Sequence, residues 1–269
     1  MQDQKNLKRA AIAASEAARS VGALMRRHLA DTKKANEVTQ HDIKLELDVR
    51  SQKLIERTLR SAFPNVSLLG EEGIAGDPNS EHRWVVDPID GTVNFAYGIP
   101  HACVSIALQQ RTDDPKSAGY PDGYRTLAGV VYDPFCDEMW TAIRGGPALL
   151  NGRPIRVSKR NKLNEAIVSI GFAKDRETLE YMLPYFNQLV RRIRKTRIMG
   201  AAAIGLCYVA TGRFDAYIER SISIWDVAAG GLIIECAGGE FWRKPVPGEH
   251  KYAMVASNGL LRRNLRAPY

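Results

Sequence analysis

The chain has few cysteines, no long apolar run and no internal repeat. Its four cysteines are scattered and none forms a C-x-x-C pair, so the pattern excludes a zinc ribbon or a dithiol redox centre. No stretch approaches the roughly 18 apolar residues of a membrane span, and residues 1–30 lack the apolar core of a signal peptide. We therefore expect reduced thiols in a cytoplasmic protein that does not bind a membrane.

What is present is a globular composition with an excess of positive charge. The chain has 269 residues, of which 45% are hydrophobic, and its formal net charge is +8. This length allows a sizeable core without disulfides. The basic residues are dispersed except for the run Arg191–Arg197, which is compatible with a solvated surface or with weak binding of nucleic acid.

The hydrophobic pattern predicts a mixed α and β chain. Helical spacing of apolar residues from Leu7 to Met25 predicts an amphipathic first helix. A second helix is predicted from Asp48 to about Phe63, because Pro64 disfavours its continuation. The predicted strands before residue 150 are Val66–Leu69, Trp84–Val86, Cys103–Leu108, Leu127–Tyr132 and Glu138–Ile143. From residue 166 short strands and helices alternate, and we predict one domain over 1–269 whose halves, about 1–150 and 151–269, share a cleft.

Two acids directly follow one of these strands. Asp87 and Asp90 are separated by Pro88 and Ile89, and like charges this close repel unless a cation lies between them. Pro88 fixes one φ angle and the following glycine permits a tight turn, so both carboxylates and the Ile89 carbonyl can point into one space. Because Mg²⁺ prefers oxygen ligands, the segment predicts a magnesium site, although D-x-x-D alone is common on surfaces.

Other acids also stand at element boundaries, where binding groups often lie. Glu71 and Glu72 follow the predicted strand Val66–Leu69, and Asp226 opens a helix rich in small residues. For Asp226 taken alone, a helix N-cap is an equally good interpretation.

Three segments carry a resemblance to a known family. They are "GEEG" at 70–73, "WVVDPIDGTVNF" at 84–95 and "WDVAAGGLIIECAGG" at 225–239. In sequence, order and spacing they resemble the signature segments of the inositol monophosphatase family of Mg²⁺-dependent, lithium-sensitive phosphatases. The resemblance implies a homodimer and an α/β (α+β) fold, the alternating layered α-β-α-β-α sandwich of the inositol monophosphatase and fructose-bisphosphatase type.

The resemblance also implies a role for each matching residue. The implied ligands of two or three Mg²⁺ ions are Glu71, Asp87, the Ile89 carbonyl, Asp90 and Asp226. The implied substrate contacts are Asp90, Gly91, Thr92, Ala202, Glu219 and Asp226. The implied catalytic group is Glu71, Thr92 and Asp48, with Asp48 accepting a hydrogen bond from the Thr92 hydroxyl and helping Glu71 to orient the attacking water. One metal ion would make that water more acidic and a second would stabilise the leaving oxygen.

The segment "DIKLELD" at 42–48 departs from the family's D-x-V-T-x-x-D pattern. Asp42 and Asp48 are kept, but Leu45 stands at the usual threonine position. Alternation predicts an extended segment with Leu45 and Leu47 on one face. A third metal site that depends on this region is therefore in doubt.

Three positions on the substrate side leave alternatives open. Ala201 replaces a common serine or threonine, which removes one hydroxyl from a helix start. Glu219 is either the family's inositol-binding glutamate or an exposed acid that ends a strand. Arg220 faces either solvent or the substrate, where a cation would favour a second phosphate.

The leading hypothesis is a Mg²⁺-dependent phosphomonoesterase that acts on a small polyol or sugar phosphate, with inositol 1-phosphate first. Histidinol phosphate, fructose 1,6-bisphosphate and 3′-phosphoadenosine nucleotides are the alternatives that relatives use. A hypothesis of another class is an RNA- or transcription-associated binding role through the basic surface. A metal kept for stability alone is the weakest interpretation.

Overall fold

A computed structural model describes residues 4–31, 35–38, 43–114, 119–173 and 175–265 of the chain. The helices in these ranges are α1 (Gln4–His28), α2 (Glu46–Ala62), α3 (Thr92–Ala96), α4 (Arg176–Leu189), α5 (Ala202–Ala210), α6 (Ile224–Cys236) and α7 (Arg262–Leu265). A bilayer-spanning helix is absent from the described part of the chain.

The larger sheet comes from the first part of the chain. It follows a separate antiparallel pair, β1 (Ala35–Val38) and β2 (Ile43–Leu45). Its strands are β3 (Ser67–Gly70), β4 (Gly73–Ala75), β5 (His82–Asp90), β6 (Cys103–Arg111), β7 (Tyr124–Asp133), β8 (Glu138–Ile143), β9 (Leu149–Leu150) and β10 (Arg153–Pro154). Their order is β10-β9-β8-β7-β6-β5-β3-β4, and only β3 and β5 run parallel to each other.

The smaller sheet comes from the second part of the chain. Its strands are β11 (Ile167–Phe172), β12 (Lys195–Arg197), β13 (Ala216–Ser223), β14 (Glu240–Pro245) and β15 (Lys251–Ser257). Their order is β12-β11-β13-β15-β14, with β11 parallel to both β12 and β13 and the other pairs antiparallel. The basic segment that contains Lys195 and Arg197 is thus the edge strand of this sheet.

Helices and sheets alternate in five layers. Trp84 and Val86 of β5 pack with α1 and α2, whereas Val85, on the opposite face of the strand, packs with α5 and α6. Those two middle helices are apolar on all sides and contact both sheets. Buried residues of α4 and α7 cover the outer face of the smaller sheet. The predicted α-β-α-β-α sandwich is therefore confirmed.

Most predicted elements are present, and two boundaries differ in ways that concern the site. The extended segment predicted through Leu47 is wrong, because α2 already begins at Glu46, with Leu45 as its N-cap and the Asp48 carboxylate accepting from the Leu45 N–H at 2.8 Å. Asp42 lies outside the described residues. The other difference is that β5 continues past Val86 to Asp90. Asp87 and Asp90 are therefore paired residues at the end of the strand and do not lie in a loop after it.

Candidate active site

The end of β5 is shaped by a bulge. Asp87 pairs with Ser105 and Asp90 with Cys103, so the β5 side contains one residue more than β6 does between these two pairs. Within the bulge the Ile89 N–H donates to Asp87 Oδ1 at 3.0 Å. Both carboxylates are consequently held on one side of the strand end, and both acids are buried.

Gly91 makes the turn from β5 into α3 possible. Its φ is +89°, a region that disfavours side chains, and a Cβ there would lie 3.0 Å from the His101 carbonyl oxygen. The next residue, Thr92, donates its hydroxyl to the Ile89 carbonyl oxygen at 2.9 Å. The expected hydrogen bond from the Thr92 hydroxyl to Asp48 stays a prediction.

Asp226 reaches the same place from the other sheet. It lies in the first turn of α6, where the Ser223 N–H donates to Asp226 Oδ2 at 3.0 Å in a capping box. One carboxylate oxygen from each of Asp87, Asp90 and Asp226 lies within 4.8 Å of the others. Asp226 is therefore not the N-cap of α6, which is Ser223, but it binds the N-cap N–H from the third helical position and belongs to the acid group.

Asp90 also binds the start of α5. Its Oδ1 accepts from the Ala202 N–H at 3.0 Å and its Oδ2 from the Ala203 N–H at 2.7 Å. Ala201, the N-cap residue, has no side chain that could do this. The hydroxyl missing at Ala201 is thus replaced, at the helix start, by a carboxylate from the other sheet.

Cys103 is a neighbour of Asp90 that the sequence analysis overlooked. All four cysteines are free, and Cys103 is fully buried with its thiol 3.4 Å from Asp90 Oδ2 as a donor. Burial, followed by the charge of Asp90, raises the pKa of this thiol well above its usual value. The thiol therefore stays protonated and supports the Asp90 carboxylate.

The acids carry strongly raised pKa values. Burial, then the charges of Glu71 and Asp226, raises the pKa of Asp87 well above its usual value. Burial and the charge of Asp226 raise the pKa of Asp90 to about 7, against hydrogen bonds from α5. For Glu71, burial and the charges of Asp226 and Asp48 raise the pKa to about 8. Close, buried carboxylates of this kind favour a divalent cation with oxygen ligands, so the donor set suits Mg²⁺.

Glu71 and Asp48 lie at the edge of this arrangement. Glu71 follows β3 and is held by a hydrogen bond with Asp87, but it does not belong to the group of three acids within 4.8 Å. Asp48 is buried at the start of α2 and does not line the cavity described next. Its charge nevertheless acts on Glu71, as the pKa of Glu71 indicates.

A cavity of about 310 Å³ opens over the acids and is lined by residues of both sheets. It contains every site residue predicted from the sequence except Asp48: Glu71, Asp87, Ile89, Asp90, Gly91, Thr92, Ala202, Glu219 and Asp226. An apolar part of its lining comes from Phe172, Ile198 and Met199. The cavity lining thus combines acidic, other polar and apolar residues.

Glu219 adds to this lining from the smaller sheet. It lies in the middle of β13 and is only partly exposed, so the interpretation of an exposed acid ending a strand is wrong. The Tyr217 hydroxyl donates to Glu219 Oε2. Burial raises the pKa of Glu219 to about 8. Across the parallel pair, Gly171 leaves room for this carboxylate, since a Cβ there would lie 2.4 Å from Glu219 Oε2.

Arg220 points away from the cavity. Its guanidinium donates to Glu177 Oε1 at 3.0 Å and lies 4.5 Å from the ring centre of Tyr181, both on α4. The possibility that Arg220 faces the substrate and binds a second phosphate is therefore wrong for this structure.

Asn94 is another residue that the sequence analysis missed. Its amide nitrogen donates to the carbonyl oxygens of His101 at 2.9 Å and of Met199 at 2.8 Å. The bond to Met199 joins α3 to the segment that leads into α5. Asn94 stands two residues after Thr92 in a quoted signature segment, and only the fold identifies its partners.

Comparison with known proteins gives consistent results. The family model described as "Inositol monophosphatase family" matches residues 6–252. A "Nus factor SuhB" from Xylella fastidiosa is 39% identical over 228 residues, which cover 83% of this chain and 78% of the relative. An "Inositol-1-monophosphatase" from Rhizobium meliloti is 39% identical over 195 residues, covering 71% and 68%. The structure of an inositol monophosphatase from Anabaena superposes with a TM-score of 0.80 at 34% identity, covering 97% of this chain and 94% of that one.

Proposed function

Because the chain belongs to the inositol monophosphatase family, a family of phosphatases, we propose that it is a Mg²⁺-dependent phosphomonoesterase for a small polyol or sugar phosphate, with inositol 1-phosphate as the first candidate. The observation that carries this proposal is a single cavity lined by three close acids and by Glu219. The three acids suit metal and phosphate, and Glu219 suits hydroxyl groups.

The proposed metal ligands are Asp87, Asp90 and Asp226, with Glu71 and the Ile89 carbonyl beside them for a further ion. Bound Mg²⁺ would supply positive charge against the phosphate oxygens and make water more acidic. The chain's own contribution is rigidity, because each of the three aspartates is fixed by a backbone N–H before any ion binds. Two or three ions and inhibition by lithium are part of the proposal.

The proposed phosphate contacts are the backbone N–H groups of Gly91 and Thr92. The first N–H groups of a helix have no intrahelical acceptor, and both residues line the cavity next to the acids. Glu71 would accept a proton from the attacking water, with the negative charge of Asp48 increasing its basicity. We expect direct attack by water, so that no covalent intermediate is needed.

The proposed substrate end uses Glu219 as a hydrogen-bond acceptor for polyol hydroxyls, with Ala202 of α5 opposite. Arg220 is engaged by α4, which disfavours a bisphosphate that needs a cation at that position. Histidinol phosphate stays an alternative, because its apolar carbons could contact Phe172 and Met199.

The experiment is phosphate release from inositol 1-phosphate, fructose 1,6-bisphosphate, histidinol phosphate and 3′-phosphoadenosine 5′-phosphate. Each is measured with Mg²⁺, with chelator, and with Mg²⁺ plus lithium. We expect Mg²⁺-dependent release that lithium suppresses, with inositol 1-phosphate turned over fastest. Absence of release from all four esters by a folded, Mg²⁺-loaded protein would refute the proposal.

A second candidate function is RNA binding through the basic segment 191–197. Arg191, Arg192, Arg194, Lys195 and Arg197 are all exposed, and none forms an ion pair with a described acid. Buried Ile193 fixes the segment that presents them. We expect RNA affinity to fall steeply with added salt, and to fall further when Arg194 and Lys195 are changed to serine. Salt-independent or undetectable binding would rule this function out.

A homodimer and a cytoplasmic location complete the proposal. The exposed apolar side chains Tyr181 and Leu183 on α4, with Val190 directly after it, are compatible with a subunit contact. Sedimentation equilibrium of the purified protein tests the dimer, and a monomer at micromolar concentration would contradict it.

A further inference from the structure

Strand β13 contains a bulge at Ser221. Glu219 pairs with Met254 and Ile222 with Tyr252, so the β13 side has one residue more than the β15 side between these pairs. Ser221 has a φ of +66°, which is unfavourable for any residue with a Cβ. The strand is therefore kinked at a serine, where glycine would be the ordinary choice.

The position of this strain is unusual within the described residues. The other non-glycine residues with positive φ there are Asp137, Asn151 and His250, and all three lie in turns. Ser221 alone among the four lies within a strand, and it alone lines the cavity. Backbone strain that persists next to a binding site points to a role in binding, because the surrounding structure must compensate for it.

The bulge in β13 brings the Ile222 side chain to the cavity. Glu219, Ser221 and Ile222 all line it, whereas Arg220 turns to α4. Without the extra residue, strict alternation would place Ile222 on the face of Arg220. Directly after the bulge, the Ser223 N–H holds Asp226. The kink therefore sits between the carboxylate proposed for polyol binding and a carboxylate proposed for metal binding.

The Ser221 hydroxyl is available for a ligand. Ser221 is partly exposed, and its hydroxyl makes no hydrogen bond to another described residue. Nearby polar groups are already engaged, since Tyr217 donates to Glu219 and the Ser223 hydroxyl accepts from Lys251 at 2.7 Å. A serine hydroxyl both donates and accepts, as does each hydroxyl group of a polyol.

We infer that Ser221 is a specificity-determining residue of the proposed phosphatase. Its hydroxyl binds a hydroxyl group of the polyol part of the substrate, next to the one that Glu219 binds, since the two residues are two positions apart on β13 and both line the cavity. The inference rests on the proposed function and adds to it the recognition of neighbouring hydroxyl groups. A phosphate ester without hydroxyl groups gains nothing from Ser221.

The test compares Ser221→Gly and Ser221→Ala with the wild type on inositol 1-phosphate and on p-nitrophenyl phosphate, which carries no alcohol group. Both variants lose the hydroxyl, but only glycine also relieves the unfavourable φ. We expect kcat/KM for inositol 1-phosphate to fall roughly tenfold in both, mainly through KM, as the loss of one hydrogen bond implies. Turnover of p-nitrophenyl phosphate should stay within about twofold of the wild type.

Asp137→Gly is the matched control, since it relieves a positive φ at an exposed turn away from the cavity. It should leave the ratio of the two kcat/KM values unchanged. Thermal unfolding with Mg²⁺ confirms that each variant is folded. If both Ser221 variants keep the wild-type ratio, the inference is overturned and the proposed function stands. If the wild type hydrolyses neither ester, the proposed function and this inference fail together.

Discussion

The Ala203 N–H at the start of α5 donates to Asp90 Oδ2 at the end of β5, over 2.7 Å. This hydrogen bond joins the larger sheet to the helix layer between the two sheets. It also gives Asp90 two tasks, because the same carboxylate belongs to the acid group and neutralises the positive end of α5. The proposed metal site and the contact between the layers therefore depend on one side chain.

Asp90→Asn should separate these two tasks. Asparagine keeps one oxygen for the α5 N–H groups but removes a charged metal ligand, so we expect phosphate release to fall on the order of 10³-fold. The weaker hydrogen bonding to α5 lowers the stability of the folded protein, whereas the relief of repulsion among the acids raises it. The Tm of the metal-free protein should therefore change by only about 4 °C or less.

Calorimetry and phosphate release on the same preparation check this prediction. If the Asp90→Asn variant is unfolded, the result would instead support a metal that serves stability alone. A variant with near-wild-type turnover would remove Asp90 from the proposed set of ligands.

Asp87 and Asp90 could be predicted as a cation site because an apolar strand runs into two acids in a segment stiffened by Pro88 and Gly91. Asp226 taken alone is equally compatible with a helix N-cap, and its role as a ligand was predicted from the resemblance. The quoted segments also allowed the layered fold to be predicted by resemblance. In each case the informative residues are close together in the chain.

The rest depends on contacts between distant residues. Asp90 and Ala203 are 113 positions apart, and no local pattern shows that a carboxylate from a strand replaces the missing hydroxyl at Ala201. The start of α2 was mispredicted because a leucine stands at the N-cap, where a polar residue is usual, and only the Asp48 carboxylate binds the N-cap N–H. The direction of Ile222 into the cavity depends on the bulge at Ser221, which sequence periodicity does not reveal.

The metal-free protein should lose stability as pH rises from 5 to 8. The folded-state pKa values of Glu71 and Asp90 are raised to about 8 and 7, and that of Asp87 is raised well above its usual value, so the folded state binds more protons than the unfolded state in this range. Stability then falls with pH until these groups are ionised. We expect the Tm in chelator to drop by roughly 5 °C.

Thermal unfolding at pH 5, 6.5 and 8, with chelator and with Mg²⁺, measures this dependence. Mg²⁺ should raise the Tm most at pH 8, where fewer protons must leave the carboxylates for the ion to bind than at pH 5 or 6.5. Asp87→Asn, which removes one buried acid, should flatten the slope in chelator. A Tm that is constant or rises between pH 5 and 8 without metal would contradict the assignment.

Gly171→Ala should disturb Glu219, because the three atoms nearest to the new Cβ all belong to this side chain. The new Cβ would lie 2.4 Å from Glu219 Oε2, so that carboxylate must move away from Tyr217. We expect KM for inositol 1-phosphate to rise about tenfold with little change in turnover of p-nitrophenyl phosphate. Gly146→Ala is the control, because the only neighbour that its Cβ would meet among the described residues is the Ile143 carbonyl oxygen, at 3.3 Å, and Gly146 does not line the cavity. If Gly171→Ala and Gly146→Ala have equal KM values for inositol 1-phosphate, Glu219 does not bind the polyol.

Asn94→Leu should weaken the contact between α3 and the segment before α5. The carbonyl oxygens of His101 and Met199 would lose their shared donor, at a cost of about 1–3 kcal/mol each if they stay out of water. We expect a Tm lower by roughly 4–8 °C and a higher KM, because Met199 lines the cavity. Tyr97→Ala, at a 75% exposed neighbour, should leave both values almost unchanged. An Asn94→Leu Tm within about 1 °C of the wild type would contradict this role.

Arg220→Ala distinguishes the two interpretations that the sequence left open for this residue. Since its guanidinium binds Glu177 and stacks on Tyr181, removing it should cost about 0.5–1 kcal/mol of stability, a small value because both partners are more than half exposed. The ratio of turnover for fructose 1,6-bisphosphate to that for inositol 1-phosphate should not change. Glu177→Ala should have a similar effect on stability, and the double variant should lose less than the sum of the two. A selective loss of bisphosphate turnover in Arg220→Ala would instead mean that this side chain leaves α4 and reaches the substrate.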